Sequence, residues 1–311
     1  MMVLVESLIL LANVGWHVLQ TIILWIRKPT EKSVGSEICL ITGTASGLGR
    51  LFALEFAKRG ATLVLWDIHA EGNAATATQV RAMGVNAYAY ACDVSQREEV
   101  YETAEKVRRE VGDVTILINN AGVAAGMPLL QCSDELLERT LRMNCHAHFW
   151  TVKAFLPKMI EMNRGHIVTI SSYHGLIATA GIEDYCASKF ATVGFHESLS
   201  HQLKVKRVDG VKTTLVCPYN ANMGLASGYK IRKDLEFLVS HLTPEYHVKA
   251  AMNAILINQP MICIPRVTYL AAFSKHIMPW EAQVLAHKFM GEDKGIQPIF
   301  QDRNEEWPSM K

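Results

Sequence analysis

The sequence lacks any excess of basic charge: 31 lysines and arginines stand against 30 aspartates and glutamates, for a net charge of +1. Proteins that bind nucleic acid usually carry a basic surplus, a basic stripe or a basic face. The sequence has no such feature, so we expect no nucleic-acid partner.

Paired cysteines are also missing. The seven cysteines are an odd number, are scattered between Cys39 and Cys263, and form no C-x-x-C motif. This pattern argues against a disulfide framework and a zinc site, and it favours reduced thiols in a reducing compartment. An H-x-H motif at His146 and His148 does not change this, because residues two apart on a helix point in different directions. We expect no metal site.

Charge is absent from residues 7–26, which are twenty residues long. As a helix they would measure about 30 Å, the thickness of a hydrocarbon core. Arg27, Lys28 and Lys32 follow the run and indicate its cytosolic side. A cleaved signal peptide would carry its basic residues before the apolar run, so the pattern predicts that residues 1–28 form a membrane anchor helix.

The anchor also has a polar stripe, because Glu6, Asn13, His17 and Gln20 share one helical face. Such a stripe suits a helix that lies in the headgroup plane, and equally one that faces another embedded segment. Whether the helix spans the bilayer stays open.

A glycine-rich turn follows the anchor. An apolar stretch at residues 38–41 is predicted to be a strand, and residues 50–58 have helical periodicity. Between them lies a TGxxxGxG motif, made of Thr42, Gly43, Gly47 and Gly49. Glycines at a strand-to-helix turn let the backbone approach a pyrophosphate, so the turn predicts a dinucleotide site.

Two acids at later strand ends fit the same ligand. Asp67 ends the next apolar stretch, where a carboxylate binds the adenosine ribose diol and repels a 2′-phosphate. Ser46, the residue before the second glycine of the motif, has no positive charge to bind a 2′-phosphate, although Arg50 could supply one. We therefore expect NAD, with NADP possible. Asp93 ends a third apolar stretch, where its carboxylate could meet the adenine amino group.

Strand and helix patterns alternate to the end of a predicted domain at residues 36–265. This alternation predicts an α/β fold with a doubly wound parallel sheet, of the Rossmann type. Residues 266–311 are expected to form a C-terminal helical extension and tail. Their apolar part could pack on the anchor, dip into the membrane or form a core helix.

The stretch YCASK places Tyr185 and Lys189 one helical turn apart. An ammonium beside a phenol lowers the pKa of the phenol, which would make Tyr185 a usable general base. A surface Tyr/Lys pair is the alternative for this motif alone. Further along the same helix, His196 and His201 are expected at the surface.

Two more polar residues stand at informative places: Ser172 ends a predicted strand, and Asn144 lies inside a long helix. Together with TGxxxGxG and the NNAG of residues 119–122, the set Asn144, Ser172, Tyr185 and Lys189 resembles the short-chain dehydrogenase/reductase family over about residues 36–265. The resemblance implies that Tyr185 is the base and that Ser172 hydrogen-bonds the substrate oxygen. It also implies that Lys189 lowers the pKa of Tyr185 and binds the nicotinamide ribose, and that Asn144 holds a proton-relaying water.

The resemblance further implies a set of residues that contact the cofactor. They are Thr42, Gly43, Ser46, Gly47, Leu48, Gly49, Asp67, Asp93, Val94, Asn120, Ala121, Gly122, Tyr185, Lys189 and Pro218. It also implies a homodimer formed through the helices that carry Asn144 and Tyr185.

Several stretches, among them NCHAHFW, IEDYCASK and QPMICIPR, resemble a membrane-attached branch of this family that contains retinol and 17-beta-hydroxysteroid dehydrogenases. The branch implies a protein on the endoplasmic reticulum membrane or on lipid droplets, with its catalytic domain facing the cytosol. Its substrates are lipophilic alcohols, so we expect oxidation of all-trans-retinol to all-trans-retinal. A hydroxysteroid or other lipid alcohol is the alternative substrate, and a nucleotide-binding scaffold with little turnover is the alternative of another class.

Some positions depart from the family pattern. Met223 stands where the family has a threonine that bonds the nicotinamide carboxamide, and this change favours the scaffold alternative. Tyr219 replaces a glycine, and Tyr173 and His174 put polar groups beside the expected pocket. Residues 224–246 are expected to form a lid over the substrate.

Overall fold

The structure is a computed structural model that describes residues 2–26, 29–219 and 242–291. The chain divides into two compact units, Met1–Lys32 and Ser33–Lys311. Met223 and most of the expected lid lie outside the described residues.

The first unit contains helix α1, Met2–Ile26. Among the described helices it alone is long and apolar enough to cross a membrane, with a mean hydropathy of 1.5 over Val3–Gln20. Within the polar stripe, His17 Nδ1 and Gln20 Oε1 are 3.1 Å apart, as expected for residues one turn apart. The predicted N-terminal helix is confirmed.

The second unit is built on one parallel sheet of seven described strands, in the order β3-β2-β1-β4-β5-β6-β7. Their bounds are β1 Ile38–Thr42, β2 Thr62–Asp67, β3 Ala87–Ala91, β4 Ile116–Asn119, β5 Gly165–Ile170, β6 Val211–Pro218 and β7 Met261–Ile264. The doubly wound α/β fold is confirmed. The sequence did not predict β7, a strand of only four residues.

Helices cover both faces of the sheet. Their bounds are α2 Gly47–Ala57, α3 Ala70–Arg81, α4 Arg97–Glu110, α5 Asp134–Leu141, α6 Ala147–Glu161, α7 Glu183–Val205, α8 Pro244–Leu256, α9 Thr268–Ser274 and α10 Trp280–Met290. The single long helix expected around Asn144 is divided into α5 and α6 by a π-helical turn at Arg142–His146.

The two faces of the sheet bury separate apolar clusters. On β1, Cys39 and Ile41 pack with Phe52 of α2 and Met252 of α8. The residue between them, Leu40, faces the opposite cluster around α4 and α6. Each fully buried large apolar side chain stabilises the fold by about 1.5–3 kcal/mol, so both clusters hold the sheet rigid beneath its carboxyl edge.

The strand order reverses at β1, since β2 and β3 lie on one side of it and β4 to β7 on the other. In open parallel sheets, ligands bind outside the carboxyl ends of the strands at such a reversal. The fold therefore predicts a ligand site at the carboxyl ends of β1 and β4.

Candidate active site

A cleft of about 450 Å³ opens at this edge of the sheet. The predicted cofactor residues that line it are Gly43, Ser46, Gly47, Leu48, Asp67, Asp93, Val94, Asn120, Ala121, Gly122, Tyr185, Lys189 and Pro218. Ser172 lines it as well. Residues at or just after the ends of six strands, β1 to β6, thus meet in one place, although the sequence separates the first from the last by well over a hundred positions.

Thr42 and Gly49 are not among the lining residues, and their contacts show what each does. The Thr42 hydroxyl accepts hydrogen bonds from the backbone amides of Asn120 and Ala121, each at 3.0 Å. A Cβ at Gly49 would overlap the Gly43 carbonyl oxygen, so only glycine lets α2 approach β1 this closely. Thr42 and Gly49 therefore fix the conformation of the glycine turn without lining the cleft.

Asn120 braces the same turn. Its side-chain amide donates to the carbonyl oxygens of Thr42, at 2.9 Å, and Gly43, at 3.3 Å. The NNAG motif therefore fastens the end of β4 to the glycine turn after β1.

Asp67 stands at the end of β2 with its carboxylate turned toward the turn. It accepts from the backbone amides of Ala45 and His69, each at 2.8 Å. The Arg50 guanidinium donates to the Ala45 carbonyl and, at 3.0 Å, to the Thr76 hydroxyl. The basic side chain nearest in sequence to the glycine turn is thus already engaged.

Asp93 lies at the next strand end. Its carboxylate accepts from the Ser95 amide at 2.9 Å, and its own amide donates to Glu99 at 2.8 Å. These bonds fix the backbone at Asp93 and Val94 along the cleft wall.

Tyr185, Ser172 and Lys189 form a compact polar group at the opposite end of the cleft. Lys189 Nζ lies 5.6 Å from the centre of the Tyr185 ring and donates to the Ile170 carbonyl oxygen at 3.2 Å. The Ser172 hydroxyl hydrogen-bonds the Tyr185 phenol and accepts from the His174 amide at 3.1 Å. α7 brings the first two together, and the end of β5 supplies the serine.

The electrostatics of this group differ from the sequence expectation. Burial raises the pKa of Tyr185 to about 12, and the hydrogen bond from Ser172 opposes that rise. Burial also lowers the pKa of Lys189 to about 8. The expected fall in the pKa of Tyr185 caused by Lys189 does not occur in the protein alone, because desolvation of the phenolate outweighs an ammonium at this distance.

Asn144 is fully buried in the π-helical turn, a feature that often marks functional sites. Its carboxamide accepts from the Val123 amide at 2.8 Å, and it donates to the Val123 carbonyl at 2.7 Å and to the Ser188 hydroxyl at 2.8 Å. Its backbone carbonyl accepts from the Thr192 hydroxyl at 2.8 Å. Asn144 therefore holds the loop after β4 against α7.

Two histidines lie behind this group. His148 is 2% exposed and His196 is 3% exposed, and His196 Nδ1 lies 2.8 Å from the Thr169 hydroxyl. The prediction that His196 lies at the surface was wrong, because Thr169 on β5 offers it a buried partner that sequence spacing does not reveal. His201 is exposed as expected.

An aromatic group stands beside Tyr185. The Tyr173 ring meets the edge of the Tyr219 ring, with centroids 4.9 Å apart, and His174 lies 6.2 Å from the Tyr185 ring. Tyr173 and Tyr219 are 6% and 5% exposed and pack with Ile177. Tyr219 lines the cleft, whereas Tyr173, His174 and Ile177 lie behind it.

Sequence reasoning missed some members of the site. Val123, Met143 and Arg139 also line the cleft. Val123 directly follows NNAG and could have been inferred from it, whereas Met143 and Arg139 depend on how α5 and the π-helical turn pack. Asp184, directly before Tyr185, is buried and was also missed.

Comparison with known proteins agrees with this geometry. The family model of the short chain dehydrogenases matches residues 37–230. Retinol dehydrogenase 10-A of Danio rerio is 52% identical over 98% of this chain and 97% of its own length, and retinol dehydrogenase 10 of Homo sapiens is 51% identical over the same shares.

Solved structures show the same architecture. A short chain dehydrogenase/reductase from Burkholderia phymatum in complex with NAD has a TM-score of 0.71 and 26% identity, covering 79% of this chain and 94% of its own. A metagenomic short-chain oxidoreductase in complex with NADP has a TM-score of 0.61 and 28% identity, covering 74% of this chain and 96% of its own. With the motifs, the sheet order and the cleft in agreement, the chain belongs to the short-chain dehydrogenase family.

Proposed function

We propose that this protein is an NAD-dependent alcohol dehydrogenase that oxidises all-trans-retinol to all-trans-retinal. The observation that carries the proposal is the meeting of Ser172, Tyr185 and Lys189 in one cleft with the glycine turn. The substrate assignment is supported by relatives named retinol dehydrogenase 10, which are about half identical over nearly the whole chain.

The cleft fits a dinucleotide. A Cβ at Gly43 would lie 3.0 Å from the Ala121 backbone, and one at Gly122 would lie 3.2 Å from Asn144 Oδ1. The first turn of α2 carries no acidic side chain, so its N-terminus stays available to a pyrophosphate. Gly43, Gly47 and Leu48 would hold the phosphates, Asp67 the adenosine ribose, Asp93 and Val94 the adenine, and Lys189 the nicotinamide ribose.

When bound, the oxidised nicotinamide supplies the hydride acceptor and a positive charge beside the phenol. In this assignment Tyr185 accepts the hydroxyl proton of the substrate at its phenolic oxygen. Ser172 donates a hydrogen bond to the substrate oxygen as it becomes a carbonyl, and Lys189 stabilises the phenolate. Asn144 positions the loop that borders these groups, and a water held there would relay the proton.

The preference for NAD rests on charge. Asp67 would bind the ribose diol and repel a 2′-phosphate, and two of the Arg50 guanidinium nitrogens already donate to Ala45 and Thr76. We therefore assign NAD as the preferred cofactor over NADP.

The apolar lining of the cleft suits a lipophilic alcohol. Tyr219, Val123 and Met143 give the cleft apolar surface, and Tyr173 and Ile177 pack behind Tyr219. A hydrophobic ligand gains about 25 cal/mol for each Å² of apolar surface that it removes from water, so such a lining favours a polyene alcohol over a sugar or hydroxy acid.

We further propose that residues 1–28 anchor the protein to the endoplasmic reticulum membrane or to lipid droplets, with catalytic residues 36–265 on the cytosolic side. The exposed apolar length of α1 supports attachment. In the extension 266–311, Leu270, Phe273 and Trp280 are 65–71% exposed, which is unusual for large apolar residues of a soluble protein. We infer that this face also meets lipid.

We also propose that the protein forms a homodimer through the helices that carry Asn144 and Tyr185. Phe149, on α6, is 42% exposed, and its ring lies 4.3 Å from that of Phe195 on α7. Phe195 is half-buried, and a second copy would cover the exposed Phe149 ring on this pair of helices.

The test of function is turnover in membranes that contain the full chain. All-trans-retinol is supplied with NAD or NADP, and the product is compared between the wild type and Tyr185→Phe. We expect retinal to form faster with NAD and not to form above background in the variant. Oxidation of a hydroxysteroid but not of retinol would overturn the substrate assignment, and nucleotide binding without turnover of either alcohol would overturn the enzyme assignment.

A further inference from the structure

Asp184 is a buried carboxylate in the first turn of α7, directly before Tyr185. It is only 7% exposed, and it forms no ion pair with a described lysine, arginine or histidine. A buried charge without a cationic partner is unfavourable unless hydrogen bonds compensate for it. The bonds that Asp184 makes therefore indicate why it is there.

Both bonds of Asp184 reach other elements. Its Oδ2 accepts from the Ala125 amide and from the Thr140 hydroxyl, each at 2.9 Å. Ala125 lies in the loop after β4, three residues past Gly122, which lines the cleft. Thr140 lies on α5 and is 1% exposed. The carboxylate thus joins the loop and α5 to the helix that carries Tyr185.

A second attachment holds the same loop nearby. Asn144 bonds both backbone groups of Val123 and donates to Ser188, which is one turn beyond Asp184 on α7. Ser188 in turn donates to the Tyr185 carbonyl at 2.8 Å. Val123 and Ala125 are therefore both fastened to α7, one through Asn144 and the other directly by Asp184.

The second carboxylate oxygen of Asp184 distinguishes it from a residue that only joins two elements by hydrogen bonds. Oδ1 is buried and has no hydrogen-bond partner among the described residues. One oxygen would suffice for the bonds to Ala125 and Thr140, and an asparagine could supply it without a charge. The carboxylate thus places a second oxygen, to which no described residue hydrogen-bonds, one residue away from the proposed base.

We propose that Asp184 is a positioning residue for the reaction at Tyr185, which fixes the 123–127 loop against α7 at the cleft and places a negative charge beside the proposed base. This inference rests on the proposed function for the role of Tyr185. Its structural half, the fastening of the loop, does not.

The groups around the phenol determine what that charge does. Ser172 at the end of β5 bonds the phenol, Lys189 lies one turn along α7, and His174 meets the ring edge. Burial is the main cause that raises the pKa of Tyr185, and the charge of Asp184 adds to it. On its other side, Asp184 faces the Cys132 thiol, whose pKa is raised by burial and by this carboxylate.

The structural half is tested by hydrogen exchange of the 121–128 backbone in the full-length protein. Asp184→Ala removes the acceptor of the Ala125 amide, so we expect that amide to exchange about tenfold faster, as for the loss of one hydrogen bond. Asp184→Asn keeps an acceptor and should exchange near the wild-type rate. Thr140→Val, the matched control, removes the α5 bond alone and should also leave Ala125 unchanged. Equal exchange at Ala125 in wild type and Asp184→Ala would overturn the proposal.

The role of the charge is tested by the pH profile of kcat/KM for alcohol oxidation. Asp184→Asn removes a negative charge beside the phenol, so the rising limb should move to lower pH, whereas Thr140→Val should leave it in place. A limb at the same pH in Asp184→Asn would overturn this part. If the wild type shows no turnover but Asp184→Ala still accelerates exchange at Ala125, the proposed function is refuted and Asp184 only holds the loop. Failure of the proposed function is therefore distinguishable from failure of this inference.

Discussion

The ammonium of Lys189 lies 5.6 Å from the ring centre of Tyr185, one turn along the same helix, and both groups have pKa values shifted by burial. The fold holds a cation in a place that disfavours cations and a phenol in a place that disfavours phenolate. Such an arrangement lowers stability, and it is typical of residues retained for chemistry.

Replacing Lys189 should therefore stabilise the fold while it impairs turnover. The pKa of Lys189 is lowered from 10.5 to about 8, so below pH 8 the folded state carries a desolvated ammonium at a cost of about 3 kcal/mol. As the pH rises from 8 to 10.5, the folded state loses this proton while the unfolded state keeps it, and the free energy of unfolding increases. We expect Lys189→Met to unfold at higher urea concentration than the wild type at pH 7, and to lose the rise between pH 8 and 10.5. If Lys189→Met unfolded at a lower urea concentration than the wild type at pH 7, this expectation would be contradicted.

The Asp67 carboxylate should set the cofactor preference. Asp67→Asn removes the charge that repels a 2′-phosphate, and it keeps one of the two oxygens that accept from Ala45 and His69. We expect the ratio of the Kd for NADP to the Kd for NAD to fall about tenfold or more, the effect of about 1.4 kcal/mol of repulsion. Asp93→Asn at the adenine end serves as the control and should leave the ratio unchanged, as measured by titration of each nucleotide.

Two glycines of the turn should respond differently to alanine. A Cβ at Gly49 would overlap the Gly43 carbonyl and lie 2.8 Å from Asn120 Nδ2, so Gly49→Ala must displace the turn and weaken nucleotide binding at least about tenfold. A Cβ at Gly47 would meet no protein atom within 4 Å, so its cost to the fold comes from φ +57 and is about 1–2 kcal/mol. Nucleotide affinity and thermal unfolding of both variants separate these causes. Wild-type nucleotide affinity in Gly49→Ala would refute the role given to Gly49.

The bonds of Asn144 should make it important to stability as well as to turnover. Asn144→Ala leaves both backbone groups of Val123 and the Ser188 hydroxyl without their partner, at a cost of about 3 kcal/mol or more. Ser188→Ala removes one of these bonds and should cost about 1 kcal/mol. Urea unfolding measures both, and a loss in Asn144→Ala no larger than in Ser188→Ala would show that the Val123 bonds contribute little.

Features that the chain encodes locally could be predicted from the sequence. The glycine turn, the acids at strand ends and the one-turn spacing of Tyr185 and Lys189 each depend on neighbouring residues, and the parallel sheet follows from the alternation of patterns. The four-residue strand β7 offers too short a pattern to be separated from a loop or a buried helix end.

Features that depend on distant partners could not be predicted. The burial of His196 depends on Thr169, and the role of Asp184 depends on Ala125 and Thr140. The pKa of Tyr185 depends on how much water the folded cleft excludes, which spacing along a helix does not reveal. The sequence identified the charged neighbour of the phenol, but the fold decides which of two opposing electrostatic effects is larger.

The central claim is that hydride passes from a lipophilic alcohol to a nicotinamide while Tyr185 takes the proton. The most direct measurement uses all-trans-retinol with both carbinol hydrogens replaced by deuterium, with NAD and membranes containing the wild type or Tyr185→Phe. We predict that mass spectrometry will find deuterated NADH and retinal in equal amounts with the wild type, and neither above background with the variant. Retinal without deuterated NADH, or equal yields from the two proteins, would contradict the account.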